Sequence, residues 1–321
     1  MLGAVLSLVS AAFFGLNNAA TRRGVLTASV LQGMAITVPL GLPIFLMFLP
    51  FFGGLTELLG LSGHSLTWLA AAGVVHFVIG RYGNYRATQA LGATLSTPIQ
   101  QLSILVSLGL AILVLDEVMT GLKAIGLFLV LIGPALVLAR KKAGKARAKT
   151  LKFTPEYGPG FFWSAVCAMG YGVSPVMIII GMGEARSIPV ALAGIIVSYA
   201  AASLVVALLI ALAGGRRYMA GMERGALKWF LLSTVCVALS QMLRYMALAV
   251  APVSVVVPIQ RLSVLFRLVF GVLINRETEV FDGPVIFGIF LAVLGAVALA
   301  ADTEMIREMV SGVPMWLLQP W

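Results

Sequence analysis

The chain has 321 residues, 60% of them hydrophobic and 11% charged, with a mean hydropathy of +1.04 and a formal net charge of +10 at pH 7. A soluble domain carries roughly 25% charged residues, so this composition excludes one and points to a membrane protein. Nor does the positive charge point to nucleic acid, because most of it sits in short polar breaks, above all RKKAGKARAKTLK over 140–152.

Apolar runs of the length a membrane helix needs, about 20 residues, recur from end to end. In chain order they cover 2–20, 29–51, 66–91, 94–115, 124–139, 160–180, 188–213, 229–250, 252–274 and 284–301. None alternates as a barrel strand does, so each is expected to be a helix. The first run lacks the basic segment that opens a signal peptide and is read as a retained helix. The basic run at 140–152 reads as a cytoplasmic loop held by the positive-inside effect. The tail after 301 mixes charge with Met, Trp and Leu, as an interfacial segment does. Cys167 and Cys236 each lie inside an apolar run, where a small buried packing residue is expected.

The halves of the chain repeat. Sliding the sequence by 160 positions aligns 81–118 with 241–278, so that Tyr85 meets Tyr245, Pro98 meets Pro258, Gln100 meets Gln260 and Glu117 meets Glu277. A two-residue adjustment then brings Gly126 and Gly133 onto Gly288 and Gly295, and the first run aligns with the sixth through Ser7/Ser164 and Gly15/Gly172. Five helices per half is an odd number, so the second half must enter the membrane from the opposite side. The expectation is an all-α integral membrane protein of ten transmembrane helices in two inverted five-helix repeats, a plan that places a binding site between the halves. Residues 1–139 form the first repeat, 140–157 the basic linker, 158–301 the second repeat and 302–321 the tail.

Two copies of a Y-x-A element (YRATQALG and YMALAVAP), each followed by a proline entering the next helix and a glutamate closing it, resemble the EamA-type permeases of the drug/metabolite transporter superfamily. The glycines of AIGLFLVLIG and IFGIFLAVLG are similar to the small-residue helix that follows in that family. The resemblance implies solute transport by alternating access and leaves the solute open. It also implies both termini in the cytoplasm. Arginine and lysine counts give the opposite sense: breaks after odd-numbered runs hold Arg22, Arg23, Arg86, the linker cluster, Arg216, Arg217, Arg224, Lys228 and Arg276, whereas those after even-numbered runs, with the tail, hold only Lys123, Arg186 and Arg307.

The chemistry lies in polar residues inside apolar helices. Ser96, Gln100, Ser103 and Ser107 share one face of the fourth run, and Gln260, Ser263 and Arg267 share the equivalent face of the ninth, with Arg261 beside them. Serines of this kind commonly serve as helix–helix glue. Arginines are harder to place. Arg261 and Arg267 lie about 13 and 22 Å along the helix from Pro252, too deep to snorkel easily. Each costs on the order of 3 kcal/mol near the bilayer centre. No run has a carboxylate near its middle, so Arg244, Arg261 and Arg267, assisted by Arg81, Gln100, Gln260, Tyr85 and Tyr245, are the candidate substrate-binding residues for an anion. Pro98 and Pro258 are expected to bend their helices, and Glu117 and Glu277 to take part in gating.

The expected function is thus a secondary transporter for a small anionic or zwitterionic metabolite in the cell (inner) membrane. A flippase for an anionic lipid is the alternative, and a purely structural membrane protein would leave the costly arginines unexplained. An intramembrane enzyme would need a nucleophile–base pair or a metal motif, and His64 and His76 have no such company; no catalytic residue, metal or cofactor is expected. His76, mid-helix, offers at most a proton carrier. The expected partners are the substrate and membrane lipid, without nucleic acid; a homodimer is compatible with this reading.

Overall fold

A computed structural model describes residues 1–140, 154–279 and 283–300, so most of the basic linker and the tail lie outside the described residues. All described elements are helical. In order they are α1 (Leu2–Gly24), α2 (Val30–Thr37), α3 (Gly41–Phe52), α4 (Leu55–Gly60), α5 (Gly63–Gly73), a π-helical turn (Val74–Gly80), α6 (Arg81–Gln101), α7 (Ser103–Leu115), α8 (Gly121–Arg140), α9 (Tyr157–Met182), α10 (Ile188–Leu212), α11 (Arg216–Ala220), α12 (Arg224–Val250), α13 (Val253–Arg261), α14 (Ser263–Asn275) and α15 (Gly283–Ala300). Among the described residues, seven helical spans are long and apolar enough to cross a membrane, and α15 carries a shorter apolar stretch. Large apolar side chains such as Leu8, Met47, Leu113, Leu204, Leu212 and Leu273 stay exposed, as lipid contact requires.

One of the seven, Gly63–Leu115, has 53 residues. As a straight helix it would be about 80 Å long, far more than the roughly 30 Å hydrocarbon core. It is not straight. Gly92 has φ 83° and ψ 164°, which breaks α6 into two arms. Gln100 Nε2 then donates to Asn84 Oδ1 at 3.1 Å, although sixteen residues of continuous helix would separate them by about 24 Å. The chain therefore folds back at Gly92. Only glycine suits this position, since the positive φ disfavours a side chain and a Cβ would sit 3.0 Å from the Glu279 carboxylate. In the second half the corresponding break falls at Ala251 and Pro252, where α12 ends in extended backbone.

Each arm after a break carries a proline, Pro98 or Pro258, which removes a helix N–H donor. The helix tightens just beyond. Leu102 N–H reaches back only to Ile99 O at 3.1 Å, and Leu262 N–H to Ile259 O at 3.0 Å. There α6 gives way to α7, and α13 to α14.

The halves interlock through crossed contacts. α1 packs on α12 and α14, while α9 packs on α6 and α7. Two glycines make a matched pair of close approaches possible: a Cβ on Gly15 would lie 2.4 Å from Phe266 Cβ, and one on Gly172 would lie 2.5 Å from Val106 Cβ. Val106 and Phe266 stand 160 residues apart, so the same contact is made twice with the halves exchanged. Gly172→Val is expected to destabilise the protein by about 1–3 kcal/mol through overpacking, visible as a lower midpoint in thermal unfolding of the detergent-solubilised protein.

Candidate functional site: an arginine-rich polar core

Polar side chains gather where α1, α6, α9 and α12–α14 meet. Arg244, on α12, is 2% exposed. Its Nη1 lies 3.2 Å from His76 Nδ1, 3.3 Å from His76 Nε2 and 3.2 Å from Gln241 Oε1, and its Nη2 donates to Ser174 Oγ at 3.2 Å. His76 Nδ1 in turn shares a 2.7 Å hydrogen bond with Ser174 Oγ. The imidazole stacks on Tyr171 with ring centroids 4.3 Å apart. His76 belongs to the π-helical turn between α5 and α6. Such turns carry an extra residue per turn and often mark functional sites; no apolar periodicity announces one.

Arg267, on α14, is 5% exposed. Its Nη1 donates to Ala93 O at 3.1 Å, to Thr97 Oγ1 and to Gln100 Oε1 at 3.4 Å. From Gln100 the network passes to Asn84 and on to Asn18 Oδ1, which accepts from Asn84 Nδ2 at 3.1 Å. Gln260 takes a separate path, donating to Ser10 Oγ at 3.1 Å, itself paired with Ser240. Arg261 lies over the Tyr171 ring at 5.7 Å, the ring on which Arg244's neighbour His76 stacks, and Arg267 follows it six residues later on α14. The three cations thus share one region around Tyr171. No carboxylate reaches ion-pair distance of any of them among the described residues, and the Nε–H of each has no hydrogen-bond partner there.

Arg81 stands somewhat apart. It donates to Thr37 O at 3.2 Å and Tyr199 OH at 2.8 Å, and lies over the rings of Phe77 (5.0 Å) and Tyr199 (5.4 Å). Carbonyl, hydroxyl and cation–π contacts together hold its charge. Tyr85 bonds Thr37 Oγ1. Tyr245 bonds Ser198, whose hydroxyl is tied to Leu69 O, so its polar end belongs to the α5–α10 seam rather than to the arginines.

The carboxylates cap helices. Glu117 accepts from Val253 N–H at 2.8 Å and Ser254 N–H at 3.0 Å, the first residues of α13. The matching bonds to Ala93 N–H (2.6 Å) and Thr94 N–H (2.7 Å), 160 positions earlier, come from Glu279, not from Glu277 as the ungapped alignment pairs it. The two-residue adjustment that aligns the later glycines already applies at this point. Glu279 also pairs with Arg22, Nε to Oε1 at 3.4 Å, with both side chains fully shielded. Arg22 further donates to Thr88 O at 2.7 Å and Thr278 O at 2.7 Å. It is therefore a buried structural cation and not a loop charge.

Residues 1–139 match the model of the EamA-like transporter family. The match covers the first 139 of the 321 residues, the same stretch as the expected first repeat. No curated protein matches the chain. A solved crystal structure with 17% sequence identity superimposes with a TM-score of 0.64, covering 97% of this chain and 99% of that one, and shows a shared fold. The matched stretch holds Arg81, Gln100 and Glu117, whereas Arg244, Arg261 and Arg267 all lie beyond it.

Proposed function

We propose that the chain is a secondary transporter moving a small organic anion or zwitterion by alternating access, built as ten transmembrane helices in two inverted five-helix repeats. The exchanged Gly15–Phe266 and Gly172–Val106 contacts and the reciprocal Glu117 and Glu279 caps support the repeat. One observation carries the substrate charge: Arg244, Arg261 and Arg267 lie together without a carboxylate at ion-pair distance among the described residues, each with a guanidinium N–H to spare. Buried positive charge of this kind is costly. An anion between the helices would offset it and accept the unused donors.

The linker is assigned to the cytoplasm and both termini to the outside of the cell membrane. Arg22 drops out of the charge tally because it is buried, yet Arg23, Arg86, Arg216, Arg217 and Arg276 keep the bias on the linker's side. Uptake into proteoliposomes tests the reading. Unlabelled carboxylate or phosphate inside should drive uptake of the labelled anion, and Arg244→Gln should reduce it by about tenfold or more. Uptake of organic cations, unaffected by Arg244→Gln, would contradict it.

A further inference from the structure

We propose that Arg22 and Glu279 form a charged lock on one gate, and that the opposite gate, guarded by Glu117 without such a partner, is the end from which the anion loads. The inference rests on the transporter reading above. Its starting point is the near-symmetry of the two caps. Each carboxylate holds the first two amide groups of an arm belonging to the other half: Glu117 holds Val253 and Ser254, and Glu279 holds Ala93 and Thr94. Either cap joins the two halves at one end of the molecule, so breaking it frees that end.

The two ends differ in how a cation meets the carboxylate. The register that aligns Gly15 with Gly172 places Ile179 where α1 has Arg22. At the Glu279 end, Arg22 bonds the carboxylate and the carbonyls of Thr88 and Thr278, joining α1, α6 and the turn after α14 in one closed knot. At the Glu117 end, Ile179 can make no such bond, and the cation there, Lys123, donates to Val118 O at 2.9 Å and Ser254 Oγ at 3.4 Å rather than pairing with the carboxylate. There a cavity of about 400 Å³ lies between Leu115, Glu117, Ile179, Arg186 and Pro252. Arg186 places a positive charge at its mouth, which favours anion entry. One end is held by a fully shielded ion pair, while the other has only a half-buried cap beside a cavity.

The lock also reaches the binding arginines. Arg267 donates to Ala93 O, on the residue whose N–H Glu279 holds, and to Thr97 one turn further along. An anion that draws Arg267 away from Ala93 and Thr97 removes a second tie on the arm capped by Glu279. Loading from the Glu117 end would thereby loosen the lock at the far end, the coupling that alternating access requires.

Amide exchange measured by mass spectrometry on the full chain in lipid nanodiscs, without substrate, tests the lock separately from the substrate class. Peptides containing Val253 and Ser254 should exchange faster than those containing Ala93 and Thr94. Arg22→Gln should speed exchange at Ala93 and Thr94 roughly tenfold while leaving Val253 and Ser254 unchanged. Arg22→Lys, which keeps the charge, should restore much of the protection. Ile179→Arg, placing a guanidinium beside Glu117, should slow exchange at Val253 and Ser254. Equal exchange at the two caps in the unaltered protein would overturn the proposal. So would protection at Ala93 and Thr94 that persists in Arg22→Gln, or Ile179→Arg leaving Val253 and Ser254 as fast as before. A protein that passes these tests but binds no anion would retain the lock and lose the substrate reading.

Discussion

Glu279→Gln should be among the most destabilising single substitutions in the protein, by about 3–5 kcal/mol. The carboxylate carries two amide hydrogen bonds and an ion pair, all shielded from solvent. Glutamine retains one acceptor oxygen, leaves Arg22 without its counter-charge, and sets an amide N–H₂ where an acceptor is needed. Glu117→Gln breaks the equivalent cap at a half-buried site with no arginine bonded to it, and should cost only the capping contribution, about 1–2 kcal/mol. Thermal unfolding of both variants in the same detergent checks the order. The double variant Arg22→Gln/Glu279→Gln should be much less destabilised than the sum of its parts, because the singles each strand a buried group. Equal midpoints for Glu279→Gln and Glu117→Gln would show that the buried ion pair adds little.

Arg267→Gln is expected to weaken anion binding by about 100-fold or more, corresponding to roughly 3 kcal/mol. The fold should survive. Glutamine can still meet Thr97 or Gln100. This separation between function and stability distinguishes a binding arginine from a structural one such as Arg22, whose loss should lower the unfolding midpoint and loosen its own end of the molecule. Arg81 should behave more like Arg22. Its donors are taken up by Thr37 and Tyr199, and two aromatic rings lie against its charge.

Much of this organisation was legible in the sequence, where it depends on covalent or packing constraints that leave a residue-type signature. Pro98 and Pro258 mark the sites where α6 and α13 tighten and end, because a missing N–H acts locally. Gly15 and Gly172 mark the exchanged contacts, because no other residue lets the helices approach so closely. The arginines announced themselves by their cost in an apolar run. What escaped were features set by three-dimensional register. Glu277 and Glu279 are equally good sequence candidates for a closing carboxylate, and only the position of the Ala93 and Thr94 amides selects the second. Arg22 sits at a helix end beside Arg23 and reads as a loop cation until its acceptors on α6 and after α14 are seen. His76 looked solitary because its company, Arg244, Ser174 and Tyr171, comes from two other helices. The equivalence of Tyr85 and Tyr245 in the repeat likewise did not extend to their partners, Thr37 in one case and Ser198 in the other.

The two halves differ most at the arginines themselves. Arg244, Arg261 and Arg267 stand where the first half has Asn84, Gln101 and Ser107. Those three polar residues serve packing and network roles, Ser107 donating to Gly172 O at 2.8 Å and Asn84 linking Gln100 to Asn18. Arg81 and Arg22 of the first half are held by Thr37, Tyr199 and Glu279, so the proposed substrate charge rests on the three arginines after residue 240.

Thermal stabilisation of the purified protein across carboxylates, phosphates, amino acids and organic cations tests that claim most directly. The unaltered protein should be stabilised by one or more anions, and Arg267→Gln should have a similar midpoint alone but lose the shift. Stabilisation by cations alone, or an anion shift that persists unchanged in Arg267→Gln, would contradict it.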